Sequence, residues 1–107
     1  MKAEIKQKWL EALRSGSYTQ GRNALRSSDD SFCCLGVLCD LVARDKWHLE
    51  GARYAHSGYI GHLPGSVGAA TEVNSDQAFI LMGMNDNGQS FGQIADWIEA
   101  NITADAA

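Results

Sequence analysis

A chain of 107 residues, 45% hydrophobic and 21% charged, has the size of one ordinary domain and can bury one core but hardly two. Its formal net charge of −4 and sequence pI of about 5.2 weigh against nucleic acid as a partner, whose binders carry a basic footprint. The longest apolar run, from Phe79 to Met82 and a little beyond, is far shorter than the roughly 20 residues of a membrane span.

The opening stretch Met1–Lys8 is too polar for a signal peptide, so the chain is expected to stay in the cytoplasm. From Lys2 to Arg14, apolar residues at Ile5, Trp9, Ala12 and Leu13 mark one face of an amphipathic helix. Gly16 supplies its left-handed stop and Arg14 suits the negative end of its dipole. Residues 17–26 are polar and loosely patterned, and with the turn-like Ser27–Asp30 they read as two short extended segments around a turn.

Phe32–Val42 is densely apolar, with Cys34, Leu38, Leu41 and Val42 at helical spacing. A buried helix is expected from about Leu35 to Asp45, entered through a short strand at Phe32-Cys33. Gly36 costs about 1 kcal/mol against Ala inside a helix, so another backbone or a ligand is expected to lie close to it. Residues 47–74 hold five glycines, the only proline and all three histidines. They read as irregular, with a short strand near Arg53-Tyr54 or Tyr59-Ile60 and a helical turn opened by Pro64. Asn74 or Ser75 caps a helix to about Met84, Asn87-Gly88 ends it, and Ser90-x-x-Gln93 is a capping box for a last helix carried on Phe91, Ile94, Ala95, Ile98 and Ile102. The sum is an α+β fold, mainly helical, a small single domain over 1–102 with about four helices, a short β-hairpin or small antiparallel sheet, and a frayed tail at 103–107.

Chemistry is sparse. Cys33, Cys34 and Cys39 fall on one apolar element, which suits free core thiols in a reducing compartment better than a disulfide framework or a zinc site. The histidines lack metal-like spacing and read as surface or loop residues. Asn85–Gly88 lacks the spaced oxygens and closing glutamate of a calcium loop. No phosphate-loop, dinucleotide, nucleophile-elbow or zinc-protease motif is present. The reading therefore contains no metal, no cofactor and no catalytic residue. What remains is a set of binding-type groups, Tyr18, Gln20, Arg22, Arg26, Trp47, Tyr54 and His62, with Asn85 and Asp86. Arginine forks grip phosphate and aromatic faces stack on bases. Residues 1–26 also carry six Lys/Arg against Glu4 and Glu11, a formal +4 that leaves −8 for the rest.

The residues Trp9, Ala12–Gly16, Tyr18, Gln20-Gly21, Leu25-Arg26 and Phe32–Leu41, joined by Asn85-Asp86, Gly88, Ser90-Phe91, Ile94–Asp96 and Ile98-Glu99, resemble a family of small uncharacterised proteins of bacteriophages and prophages. The resemblance covers both ends and not the middle, and carries over no catalytic residue. It implies a phage accessory protein that counters host defence by binding. The leading expectation is a non-enzymatic protein that sequesters a small anionic nucleotide-derived signal between the Gln20–Arg26 segment and the aromatic middle. The alternative is an inhibitor of a host defence protein that presents Asp86, Asp96 and Glu99 to a basic surface. A third reading is a small hydrolase or transferase using one cysteine. A membrane is not expected as a partner, and self-association is open to a domain this small.

Overall fold

The computed structural model describes residues 1–105. Helix α1 (Ala3–Arg14) is followed by three two-residue strands, β1 (Thr19–Gln20), β2 (Arg26–Ser27) and β3 (Ser31–Phe32), then helix α2 (Cys34–Ala43) and a 3₁₀ turn (Arg44–Lys46). A hairpin of β4 (Trp47–Glu50) and β5 (Arg53–His56) comes next, and helices α3 (Gly65–Thr71), α4 (Ser75–Asp86) and α5 (Phe91–Asn101) close the chain. The class is α+β and mainly helical, with five α-helices among the described residues rather than about four. The additional helix is α3, seven residues long and opened by Pro64 where a single helical turn was expected.

The sheet is mixed, in the order β1-β3-β2-β5-β4, rather than wholly antiparallel. β3 inserts between β1 and β2 and runs parallel to β1, while every other pair is antiparallel. Two-residue strands carry no periodic signal, so their pairing is decided by long-range contacts. The expected strand at Arg53-Tyr54 forms; its partner at Trp47–Glu50, in a segment expected to be irregular, was not foreseen.

Helix α2 lies at the centre and packs on α1, α3, α4 and β3. Cys34, Val37, Leu38 and Cys39 are fully buried, together with Trp9 of α1, Leu25, Leu81 of α4, and Ile94 and Ile98 of α5. Trp9 also donates its indole N–H to the Cys34 carbonyl at 3.0 Å, so the helix pair is fixed by packing and by a hydrogen bond. The Gly36 expectation resolves to backbone: a Cβ there would run into the Leu25 carbonyl, which itself accepts from the Cys33 N–H at 3.2 Å. Asn74/Gln77 and Ser90/Gln93 both form reciprocal capping boxes at the starts of α4 and α5, satisfying donors that each helix would otherwise leave open.

His56 departs from the surface placement expected of it. It is fully buried on β5, its Nε2 2.8 Å from the Ala43 carbonyl and its ring edge-on to Trp47. The tail, expected to be frayed, is tied to the N-terminus over 103–105: the Met1 amine donates to the Thr103 carbonyl at 3.2 Å, and the Asp105 N–H to the Met1 carbonyl at 2.7 Å. The remainder of that expectation, Ala106 and Ala107, lies outside the described residues. Among the described residues no helix is long and apolar enough to cross a membrane.

Candidate functional site

The nine residues singled out in the sequence are brought to three places. Four meet at an arginine–aromatic cage. The register sets Arg26 directly opposite Phe32 on one side and Tyr54 on the other, with Trp47 opposite His56 one strand further out. Directly opposed residues share a face of the sheet, so these side chains converge. The Arg26 guanidinium sits 3.9 Å from the Tyr54 ring centre, 5.2 Å from Phe32 and 5.5 Å from Trp47, and Tyr18 meets Phe32 edge-on at 5.0 Å. Such contacts hold a cation in place while leaving its N–H groups free to donate.

An open cleft of about 580 Å³ adjoins the cage, lined by Tyr18, Thr19, Arg26, Asp30, Asp40 and Arg44 with Ser17, Asp29 and Phe32. Asp40 is its organising group, and sequence reading missed it. One carboxylate oxygen accepts from the Tyr18 hydroxyl at 2.6 Å and from Arg44 at 3.2 Å, and the other accepts from the Trp47 indole at 3.1 Å. Burial pushes the Asp40 carboxyl up, but the hydrogen bonds from Tyr18, Trp47 and Arg44 outweigh it and hold the group below its ordinary value. Burial and the bond to Asp40 push the Tyr18 hydroxyl up. The signal in the sequence was a lone carboxylate inside Phe32–Val42, because a buried charge has to be paired.

At the cleft's mouth Arg26 donates from Nε and Nη2, at 3.0 and 2.6 Å, to one oxygen of Asp30. Asp30 is mostly exposed and holds a left-handed backbone with φ of 63° at the β2–β3 turn. Its neighbour Asp29 accepts from the Ser31 hydroxyl and N–H, which hold its carboxyl below the ordinary value.

Four more of the nine form a clasp between the β1–β2 segment and the α4–α5 turn. The buried Asn85 accepts from Gln20 Nε2 at 3.0 Å and the Cys34 N–H at 3.2 Å, and donates to the Gly21 carbonyl at 2.8 Å. Gln20 also donates to the Gln89 carbonyl, Asp86 accepts from the Asn23 N–H at 3.0 Å, and Arg22 lies beside Gly88. The ninth, His62, is exposed beside Phe79 and Met82, away from both groups.

All three cysteines are free and buried. Burial pushes the Cys33 thiol up to about 11 and also raises Cys34 and Cys39 above their ordinary range, which suits packing rather than nucleophilic attack. Cys33 instead caps α2, its sulfur accepting from the Gly36 N–H. The acidic residues expected to meet a basic host surface include Asp96 and Glu99, which stand exposed on α5 and pair with the exposed Arg14 at 2.8 and 3.2 Å. Among the described residues no group of His, Cys, Asp and Glu is arranged to hold a metal ion.

No curated protein and no solved structure matches the chain. Residues 1–102 match the family described as a domain of unknown function (DUF8296). That match spans the helices, the cage and the clasp alike, and the chain belongs to this family.

Proposed function

We propose that this protein is a non-enzymatic phage accessory protein of the host cytoplasm that counters host defence by sequestering a small nucleotide-derived anion in the Tyr18–Arg26–Asp40 cleft. The observation that carries the reading is the convergence of Tyr18, Arg26, Trp47 and Tyr54, from three separate stretches of chain, on one cage beside one cleft. Its volume falls within the range of small-molecule sites.

The cleft is not simply basic, since Asp29, Asp30 and Asp40 face Arg26 and Arg44. A nucleotide needs both kinds of group: guanidinium donors for its phosphates and carboxylate acceptors for its ribose hydroxyls. Arg26 is flanked by the aromatic rings, and the group now on its fork is an exposed carboxylate. Exposed pairs contribute only about 0–1 kcal/mol, so a phosphate can replace Asp30 while Asp30 turns to water. Asp40, tied by three bonds, stays to shape the floor.

Titration calorimetry with ADP-ribose and with cyclic mono- and dinucleotides tests the reading. Binding of one member is expected, with a thermal shift equivalent to about 2.7 kcal/mol at 100 times its dissociation constant. Arg26→Lys keeps the charge but removes the fork, and should weaken it at least tenfold. Asp30→Asn should tighten it by about tenfold, one neighbouring negative charge being removed. A panel without response, or binding that Arg26→Lys leaves intact, overturns the proposal.

A further inference from the structure

Strand β4 is an outer edge of the sheet, and among the described residues no strand pairs with its free side. Its hairpin turns on Gly51-Ala52, with Gly51 at φ of 66°, and Glu50 faces Arg53 across the turn. In a two-residue hairpin that closing pair exchanges both backbone hydrogen bonds, and the pairs behind it alternate. His48 and Ala55 are therefore the next bonded pair. The Lys46 carbonyl points inward as well, accepting from the Ser57 N–H at 3.3 Å. Leu49 does the opposite and turns its N–H and C=O out to solvent. Sheet edges are commonly blunted by a lysine, a proline or a bulge. β4 contains none of these: it reads Trp-His-Leu-Glu in unbroken register, and Leu49 at its centre is 59% exposed.

The order of side chains along this edge makes it complementary to itself. His48 and Glu50 are both exposed, on the face opposite Leu49, and neither has an ion-pair partner among the described residues. A second copy laid antiparallel on β4 by a two-fold axis has few registers open to it, each centred on a residue that faces itself. Centred on Trp47, the ladder runs into the 3₁₀ turn. Centred on His48, it sets imidazole against imidazole and leaves Glu50 against that same turn. Centred on Glu50, it sets carboxylate against carboxylate. Centred on Leu49, it joins the two Leu49 residues by a pair of backbone hydrogen bonds, covers their exposed side chains and opposes His48 to Glu50 twice. These last are non-hydrogen-bonded pairs, where side chains approach most closely.

We infer that β4 is a self-association edge: two copies of this chain join antiparallel through Leu49 into one continuous sheet, and the imidazole of His48 in each copy donates to the Glu50 carboxylate of the other. Arg53, directly across from Glu50 in the same chain, adds a cation on that face. A four-residue edge lies at the small end of interface sizes, so the dimer is reversible and depends on concentration. Leu49 stands on the same face of the sheet as Tyr54, but no residue of β4 or β5 lines the Arg26 cleft. The inference therefore does not depend on what that cleft binds.

Sedimentation equilibrium of the full chain over a wide concentration series tests it, together with two opposite changes at one exposed position. His48→Glu should weaken the dimer about tenfold, since both cross-strand pairs turn repulsive, whereas His48→Lys should leave it as tight or tighter. The register is read separately by single cysteines at the edge, oxidised mildly and run without reductant. Leu49→Cys should cross-link fastest, because that residue meets its own copy at a Cα separation of about 5.5 Å, within disulfide range. The buried Cys33, Cys34 and Cys39 should leave the parent uncross-linked. A monomer at every concentration overturns the inference. So do equal effects of His48→Glu and His48→Lys, or faster cross-linking of His48→Cys or Glu50→Cys. A dimer indifferent to all of these changes belongs to another face and overturns it too.

Discussion

The cage around Arg26 lies across neighbouring strands, the clasp around Asn85 joins the β1–β2 segment to the end of α4, and they show two ways to use a polar side chain. Asn85 is buried, and its donor and acceptor are spent on Gln20, Gly21 and the Cys34 N–H. Fully buried, it presents no atom to a ligand. Arg26 is packed on three rings, but its fork rests on an exposed carboxylate that water or a phosphate can replace. The difference between structure and site here lies in what would be left unsatisfied if the partner departed.

That contrast can be broken by mutation. The largest loss of stability is expected from Asn85→Ala, which strands the buried Cys34 N–H and the Gly21 carbonyl; about 3 kcal/mol or more should appear in urea unfolding. A value under about 1 kcal/mol would mean that water satisfies those groups and that the clasp is not structural. Next comes Asp40→Asn, at about 2 kcal/mol, since it removes the charge that three donors converge on.

Asp40 carries a pH signature as well. Its folded-state value lies below the ordinary one, so its stabilisation is fully present above the unfolded value of about 3.9 and is lost as pH falls through the folded value. Urea midpoints followed from pH 6 down to about 2 should fall more steeply in the parent than in Asp40→Asn. Parallel curves would show that the hydrogen bonds do not favour the charged form.

Arg26→Ala should cost only about 1 kcal/mol, because an exposed pair and partly exposed cation–π contacts are being removed. The smallest change is expected for Asp30→Asn, within about 0.5 kcal/mol of the parent by thermal or chemical unfolding. A large loss there would make Asp30 a structural partner of Arg26 and remove the exchange on which ligand capture depends.

Much of the frame was legible before any coordinates. Trp9 and Leu13 on one helical face, the glycine stop at Gly16, the thiols of the central helix as core, the close approach at Gly36 and the capping boxes at Asn74 and Ser90 all follow from local periodicity and capping chemistry, which span only a few residues. The middle was less legible. Trp47–Glu50 pairs with a hairpin partner, but only Trp47 of its four side chains is even half-buried, so no apolar alternation announces it.

Of the candidate site, the residue types were visible and their grouping was not. Tyr18, Arg26, Trp47 and Tyr54 looked no different in the sequence from Gln20, Arg22, Asn85 and Asp86, and Asp40 looked like a break in an apolar run. What brought Arg26, Trp47 and Tyr54 together was strand register: a shift of one residue would turn Arg26 away from Phe32 and Tyr54 to the other face of the sheet. By itself the sequence determined four of the five helices, the capping boxes of α4 and α5, and the apolar centre, because those depend on neighbours within a turn or two. Which polar groups were consumed as structure and which were left facing a cleft depended on partners 20 to 70 positions away, as with Tyr18 and Asp40 or Gln20 and Asn85, 22 and 65 apart, and only the closed tertiary structure decides that.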